Sequence, residues 1–167
     1  MTIKVGEKLP TGTLTEMIYE ASDSCPAGPS PVNVAESVKG KRIAIFAVPG
    51  AFTPGCSNTH LPGFVNNAAQ IKAKKIDEIW CLSVNDAFVM GAWGKDQKTA
   101  GKVRMLADGS AVFTKALGLE ADFSNFGMGI RSRRYSMMVD DGVVKVLNLE
   151  EGGKIEVSTA EKLLAQI

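Results

Sequence analysis

The sequence predicts an α/β fold in which helices cover both faces of a central mixed β-sheet. Two short apolar runs, residues 42–48 and 79–84, do not alternate in polarity and are too short for buried helices, so they suit central strands. Between them, residues 61–75 carry apolar side chains along one helical face and lysines near the end. This pattern predicts a helix that crosses from one parallel strand to the next.

A second unit of helix and strand, followed by a hairpin, extends this sheet. The apolar spacing predicts a helix over residues 87–100 and a strand over residues 103–107. Further on, residues 135–139 and 143–147 are apolar runs on either side of Asp140-Asp141-Gly142. Because Asp and Gly tolerate a positive φ, this turn predicts an antiparallel hairpin.

The remaining segments are a loop and two short helices. Pro and Gly predict a loop over residues 24–31. A helix over residues 110–117 would be capped by Ser110 and closed by a following glycine. Ser158 with Glu161 matches a capping box that opens a terminal helix. Parallel strands followed by an antiparallel hairpin and a closing helix predict a thioredoxin-like α/β sheet.

Composition indicates one globular domain over residues 1–167. The chain is 45% hydrophobic and 22% charged, with a net charge of +1, which gives a core and leaves no excess charge to steer nucleic acid. We find no signal-peptide core and no apolar run long enough to span a membrane, so we expect a cytoplasmic protein. Three cysteines without a CxxC pair and a single histidine argue against a disulfide scaffold and against a bound metal.

The segment after the first central strand places Cys56 beyond the carboxyl end of a parallel strand, where open α/β sheets bind ligands. Thr53 followed by Pro54 is typical of a helix start, with Thr53 as N-cap. Cys56 then lies in the first turn, where free N–H groups and the helix dipole favour the thiolate. Pro62 predicts a kink further along. A small buried apolar role for Cys56 stays open from the local pattern alone.

A longer sequence pattern around Cys56 favours the reactive role over the structural one. Residues 49–64, PGAFTPGCSNTHLPGF, contain the P-x-x-x-T-x-x-C signature of peroxiredoxins and closely resemble the type II, peroxiredoxin-5-like subfamily. The resemblance continues through residues 77–94 and through residues 131–137, RSRRYSM, and so covers most of the chain. It implies a thioredoxin-fold peroxidase that reduces hydrogen peroxide and organic hydroperoxides through a thiol.

The resemblance also implies roles for single residues. Cys56 would attack the peroxide and become a sulfenic acid. Arg134, directly before Tyr-Ser-Met, would be the active-site arginine, with Arg131 and Arg133 as weaker candidates. Its guanidinium and the Thr53 hydroxyl are suitable donors to the peroxide, together with the Cys56 N–H.

Three neighbours of Cys56 complete the expected site. Pro49, which has no N–H, would be a wall that excludes water. Gly55 adjoins Cys56 and is expected near the site. His60, four residues after Cys56, could form a Cys-His pair of the hydrolase kind, but a packing or hydrogen-bonding role beside the site is favoured.

The way in which the oxidised sulfur is recycled stays open. Ser158 stands in the stretch where animal-type members carry a C-terminal cysteine, whereas Cys81 matches the second cysteine of plant-type and some bacterial members. Cys81 lies within a predicted central strand, so burial favours a structural role over a resolving one. Cys25 is expected to be a tolerated loop cysteine. If Cys81 does not resolve, the reductant is external: glutaredoxin with glutathione, or thioredoxin. No organic cofactor is expected.

Two further expectations concern partners and alternatives. The resemblance implies a homodimer, with Phe52 and Phe126 as contact residues. The alternative function is a non-enzymatic redox sensor or chaperone on the same fold, which passes oxidation from Cys56 to a partner protein. The cluster at residues 131–134 is a weak footprint for nucleic acid in a chain of this net charge.

Overall fold

The structure is a computed structural model that describes residues 1–23 and 26–167. Cys25 therefore lies outside the described residues. The strands are β1 Thr13–Ile18, β2 Gly28–Asn33, β3 Arg42–Val48, β4 Glu78–Ser83, β5 Arg104–Ala107, β6 Glu120–Asp122, β7 Ile130–Ser132, β8 Tyr135–Asp140 and β9 Val143–Leu149. The α-helices are α1 Val34–Ser37, α2 Leu61–Asn66, α3 Ala68–Ala73, α4 Ala87–Asp96, α5 Val112–Leu117 and α6 Ala160–Leu164.

One mixed sheet dominates, in the order β2-β1-β5-β4-β3-β8-β9, and β6 and β7 form a small separate ladder. The strands β3, β4 and β5 run parallel at its centre. The hairpin β8–β9 joins β3 in antiparallel fashion. Its turn is the predicted one, because Asp141 and Gly142 both have positive φ, at 48° and 77°.

Helices cover both faces of this sheet, which confirms the predicted thioredoxin-like class. Along β3, Ile43, Ile45 and Ala47 pack into a core with α1 and α5. The intervening Phe46 and Val48 pack into the opposite core, with α2, α3, α4 and α6. A strand with apolar residues on both faces is typical of a sheet covered on both sides.

The N-terminal strands were missed by sequence reasoning, and the predicted loop over residues 24–31 is wrong from Gly28 onward, because β2 begins there. Two prolines, Pro29 and Pro31, conceal the strand. Because β2 pairs with β1 alone and is an edge strand, a residue without an N–H is tolerated on its open side.

Helix bounds also differ from the predictions. The predicted helix over residues 61–75 is divided at Asn67, whose side-chain amide donates to the Gly63 carbonyl oxygen at 2.8 Å. The predicted helix over residues 87–100 ends at Asp96. Lys98 beyond it has a left-handed φ of 55°.

Both predicted serine caps are wrong. The Asp108 carboxylate, not Ser110, accepts the N–H groups of Phe113 and Thr114 at the start of α5. At α6 the cap is Thr159, whose hydroxyl accepts the Lys162 N–H at 3.2 Å. Ser158 lies just outside this helix, and its hydroxyl serves another partner, described below.

Candidate active site

The sheet topology explains why Cys56 meets an arginine far away in sequence. Strand β3 ends at Val48, and the segment that follows it carries Cys56. Strand β8 runs antiparallel beside β3, with Ala47 opposite Tyr135. Arg134, the residue before β8, therefore lies at the same edge of the sheet as the end of β3.

Cys56 lies in a tight helical segment. Residues 54–55 are helical, Cys56–His60 form a π-helical turn, and α2 continues from Leu61. The Leu61 N–H bonds to the Cys56 carbonyl oxygen, five residues back. Pro62 lacks an N–H, so the regular ladder is interrupted there, and the predicted kink takes the form of this wide turn.

The Arg134 guanidinium contacts the sulfur directly. Its Nη2 donates to Cys56 Sγ at 3.3 Å, and its Nη1 donates to His60 Nδ1 at 2.9 Å. Arg134 is only 8% exposed, and Cys56 and His60 are buried. A guanidinium carries a permanent charge, so a fixed positive charge lies in contact with the buried sulfur, where screening by water is weak.

These contacts fix the protonation state of His60. An arginine can only donate, so Nδ1 must be the acceptor and the ring proton lies on Nε2, which donates to the Ser158 carbonyl oxygen at 2.9 Å. Burial, and to a smaller extent the nearby Arg134 charge, lower the pKa of His60 from 6.5 to about 4, although the Ser158 bond opposes the shift. His60 is therefore neutral at pH 7. With both nitrogens engaged, it cannot act as a base toward Cys56, which removes the Cys-His hydrolase hypothesis.

Glu150 anchors the segment that holds His60. One carboxylate oxygen accepts the backbone N–H groups of Glu156, Val157 and Ser158 at 2.6, 2.8 and 2.9 Å, and also the Ser158 hydroxyl at 2.8 Å. Burial raises the pKa of this carboxyl group, but its hydrogen bonds, above all that of the Ser158 N–H, lower it by more and set it below its ordinary value. The Glu150 N–H donates to the Arg134 carbonyl oxygen at 3.0 Å. Glu150 therefore contacts both the backbone of Arg134 and the segment that bonds to His60.

Sequence reasoning missed Glu150 and the role of Ser158. The available signal was a carboxylate directly after an apolar strand, where a glycine-rich segment folds back. Such a signal is weak without a structure, since most glutamates at strand ends are solvated.

The other expected neighbours lie around Cys56. The Thr53 hydroxyl donates to the Gly50 carbonyl oxygen at 2.8 Å. The prediction that this hydroxyl donates to the peroxide is therefore wrong for this structure, because its proton is already used and only its oxygen lone pairs face other partners. Gly55 adjoins Cys56 and packs closely against Ile155: a Cβ added to it would lie 3.1 Å from Ile155 Cδ1, a tight contact, and 3.6 Å from Arg134 Nη2, an ordinary one. Pro49 directly follows β3 and is half-buried.

The two other arginines of the cluster have different contacts. Arg131 Nε donates to the Met128 carbonyl oxygen at 2.9 Å, and its Nη1 lies 3.5 Å from the Pro49 carbonyl oxygen. Arg133 Nη2 lies 3.4 Å from the Glu150 carbonyl oxygen. Among the three arginines, Arg134 is the one hydrogen-bonded to the sulfur, and it is also the arginine that the resemblance singles out.

Cys81 is buried on β4, as predicted, opposite Phe46 of β3. It packs into the same apolar cluster as Cys56, and both thiols are free. Burial raises the pKa of Cys81 far above its ordinary value, and the neighbouring Cys56 adds to this, whereas Arg134 opposes it.

Two features of the described residues bear on other functions. In residues 1–23 and 26–167, no group of three or more His, Cys, Asp or Glu side chains could hold a metal ion. Within that same part of the chain, no helix is both long and apolar enough to cross a membrane.

A cysteine sulfur that accepts a bond from a buried guanidinium, at the carboxyl edge of a thioredoxin-like sheet, defines a thiol-based oxidoreductase. Comparison with known proteins narrows this class. The Redoxin family model matches residues 4–164.

Three relatives are similar to nearly the whole chain. Peroxiredoxin-2E, chloroplastic, of Arabidopsis thaliana is 50% identical over 165 residues, which cover 98% of this chain and 68% of the relative. The crystal structure of reduced Prx3 from Vibrio vulnificus in complex with hydrogen peroxide is 50% identical and covers 99% of both chains, with a TM-score of 0.90. A crystal structure from Burkholderia cenocepacia, provisionally named a thioredoxin reductase, is 58% identical and covers 100% of this chain and 99% of its own, with a TM-score of 0.99.

The chain belongs to the peroxiredoxin family and, within it, to the type II group, so it is a thiol peroxidase.

Proposed function

We propose that Cys56 is the sulfur that reacts with peroxide, and that hydrogen peroxide and alkyl hydroperoxides are its substrates. The observation that carries the proposal is the 3.3 Å bond from Arg134 Nη2 to Cys56 Sγ in a buried setting. The second buried cysteine, Cys81, has no hydrogen bond to its sulfur among the described residues, so the guanidinium singles out Cys56.

The reaction then follows from the geometry. The Cys56 thiolate attacks the terminal oxygen of R–O–O–H, an S–O bond forms, and the O–O bond breaks. The sulfur is oxidised by two electrons to a sulfenic acid, and the departing alkoxide takes up a proton to leave as an alcohol, or as water when R is hydrogen. Negative charge moves from sulfur to the departing oxygen, so a guanidinium beside both atoms stabilises the transition state.

Thr53 and the helix start orient the peroxide in this scheme. Since the Thr53 proton is used by Gly50, its lone pairs can accept the peroxide O–H and turn the terminal oxygen toward the sulfur. The Cys56 N–H lies in the first helical turn, where backbone donors lack partners within the helix. Pro49, at the end of β3, contributes a wall without a donor.

We propose that recycling uses an external thiol, with glutaredoxin and glutathione ahead of thioredoxin. Glutathione thiolate would attack the sulfenic sulfur, so that an S–S bond forms while the S–O bond breaks and the departing hydroxide takes up a proton to leave as water. Glutaredoxin would then exchange the resulting mixed disulfide. The burial of Cys81 in strand β4 supports this route, because a strand residue at the sheet centre moves only when the sheet opens.

Intact mass after one equivalent of hydrogen peroxide tests this proposal. We expect wild type and the Cys81→Ser variant both to gain one oxygen, and turnover to be restored by glutathione with glutaredoxin. A two-hydrogen loss in wild type that vanishes in Cys81→Ser would instead make Cys81 the resolving cysteine. If neither protein consumes peroxide, the assignment of Cys56 as the peroxide-reactive thiol fails.

A redox sensor or chaperone is the second candidate, in which oxidised Cys56 passes its oxidation to a partner protein. The same site supports both functions, so the discriminating observation is kinetic. Repeated turnover with a small thiol reductant supports the peroxidase, and a single oxidation that only a protein thiol reverses supports the sensor.

We also propose a homodimer in the cytoplasm. Two aromatic side chains support an interface near the site: Phe52 is 53% exposed and Phe126 is 77% exposed. Exposed aromatic rings of this size are enriched at protein interfaces. Sedimentation of wild type and Phe126→Asp tests the dimer, which should shift toward monomer in the variant. Subcellular fractionation tests the compartment.

A further inference from the structure

The second guanidinium near the site, that of Arg131, has no function in the scheme above. It borders the segment that carries Thr53. A Cβ atom added to Gly50 would lie 3.3 Å from Arg131 Nη1, 3.2 Å from Thr53 Cγ2 and 3.3 Å from Met128 Cε. Arg131 and Thr53 therefore flank the same glycine, which comes after Pro49, the residue that follows β3.

The Arg131 charge has no carboxylate partner among the described residues. Its Nε is used by the Met128 carbonyl oxygen, and Nη1 makes a long contact of 3.5 Å with the Pro49 carbonyl oxygen. The N–H groups on Nη2 have no acceptor within residues 1–23 and 26–167. The ion pairs formed by those residues involve other cations.

Strand register explains why nearby acids do not neutralise it. Arg131 lies opposite Ala121 in the β6–β7 ladder, so these two share one face. Glu120 and Asp122 flank Ala121 and therefore lie on the opposite face, because side chains alternate along a strand. The diagonal neighbours on the face of Arg131 are Leu119 and Phe123, which carry no charge.

The half-buried setting makes this cation a binding group. Arg131 is neither fully solvated nor paired, and Met128 gives it an apolar neighbour. A guanidinium with free N–H groups in such a place recognises a carboxylate, in bidentate geometry where both oxygens are reached. The Met128 side chain offers an apolar contact to the hydrocarbon part of such a molecule.

We propose that Arg131 is a specificity-determining residue that selects organic hydroperoxides carrying a carboxylate. The inference rests on the proposed function, since the peroxide group of such a molecule would enter at Cys56 while its carboxylate meets Arg131. Arg134 stabilises the reacting oxygens, and Arg131 binds the carboxylate, which takes no part in the reaction.

The test compares two substrates that differ only in charge: cumene hydroperoxide with a para-carboxylate, and the methyl ester of that compound. We expect wild type to prefer the carboxylate by about tenfold in kcat/KM, and Arg131→Gln to lose that preference to within about twofold. Arg133→Gln is the matched control, because it removes the same charge two residues away and should keep the preference. Since the readout is a ratio, a loss common to both substrates cancels.

Two further measurements keep the test decisive if Arg131→Gln does not fold. Arg131→Lys retains the charge without the fork and should keep part of the preference. In wild type, raising NaCl from about 0.05 M to about 0.5 M should reduce the ratio, because salt screens a half-exposed ion pair. A wild-type ratio near one, or a preference that survives Arg131→Gln, overturns the inference. Peroxide turnover with hydrogen peroxide itself, measured in parallel, shows separately whether the proposed function holds.

Discussion

Two buried thiols lie in one apolar cluster, and their surroundings differ in one decisive respect. Cys56 and Cys81 both have no measurable exposure. The Cys56 sulfur accepts a bond from the Arg134 guanidinium at 3.3 Å, whereas burial raises the pKa of Cys81 far above its ordinary value. Burial alone makes a thiol inert, so the cation, and not the depth, distinguishes the thiol that we propose to be reactive.

The cation at Cys56 is in turn held by a chain of neutral and anionic partners. Arg134 Nη1 donates to His60, and His60 donates to the Ser158 carbonyl oxygen. The Glu150 carboxylate in turn accepts the Ser158 N–H. Because His60 is neutral, it does not offset the positive charge of Arg134. The Glu150 carboxylate is connected to Arg134 only through His60 and Ser158, and it makes no contact with the sulfur. A direct carboxylate partner would have weakened the field at Cys56.

Replacing one cysteine at a time should give the largest effect, because it tests the difference between the two thiols directly. We expect Cys56→Ser to lose peroxide turnover by at least about 10³-fold, because a serine hydroxyl is not ionised at pH 7 and cannot replace the thiolate. Stopped-flow measurement of peroxide consumption checks this. Cys81→Ser, which makes the same exchange on β4, is the control. Substantial turnover by Cys56→Ser would move the reactive sulfur elsewhere.

Replacing the Arg134 guanidinium by an ammonium tests the hydrogen-bonding fork separately from the charge. In Arg134→Lys the charge remains, but the fork that reaches both Sγ and His60 is lost. We expect the second-order rate constant with hydrogen peroxide to fall about 100-fold, the cost of losing one well-placed donor in a dry site. The rate is measured by competition with a peroxide of known reactivity. An unchanged rate constant would exclude Arg134 from the mechanism.

His60 connects this comparison to pH. Its pKa is about 4 when folded and 6.5 when unfolded, so the unfolded chain binds more protons between those values. Stability is therefore fully present above pH 6.5 and falls as pH drops toward 4. Between pH 7.5 and pH 5 we expect wild type to lose about 2 kcal/mol of unfolding free energy on this account, and His60→Gln to lack that loss.

Urea unfolding of both proteins at pH 7.5 and pH 5 measures the difference. The Glu150 carboxyl group does not obscure this window, because its folded pKa lies below its ordinary value of 4.5. Its contribution is present above pH 4.5 and is lost only at lower pH. Parallel pH dependence in wild type and His60→Gln would contradict the neutral state of His60.

How much could be predicted from the sequence differs between the centre and the margins of the sheet. The central strands carry continuous apolar runs with few alternatives, so β3 and the β8–β9 hairpin were predicted to within two residues. The edge strand β2 was missed because its prolines and glycine are also typical of a loop, and only pairing with β1 makes it a strand.

The site shows the same division. Cys56 and Arg134 were found because a motif and a resemblance single them out by residue type, and the structure brings them within 3.3 Å. Glu150 and the Ser158 carbonyl oxygen were not found, because the segment that carries them reaches His60 only in the folded chain, where Ser158 contacts a residue 98 positions away. Backbone acceptors carry no sequence signal. Ser158 was mistaken for a helix cap for a different reason: Glu161 three residues later completes the capping-box pattern, whereas the Ser158 hydroxyl is bonded to Glu150.

The smallest effect is expected at the inert thiol. Cys81→Ala removes one buried sulfur from the core beneath Phe46, so we expect the unfolding free energy to fall by about 1 kcal/mol. The rate constant of the first peroxide step should stay within about twofold of wild type, because the bond from Arg134 to Cys56 is untouched. Urea unfolding and single-turnover kinetics on one preparation measure both quantities. A tenfold slower first step would mean that Cys81 shapes the reactive position through packing, and the two thiols would then be one coupled unit rather than two separate environments.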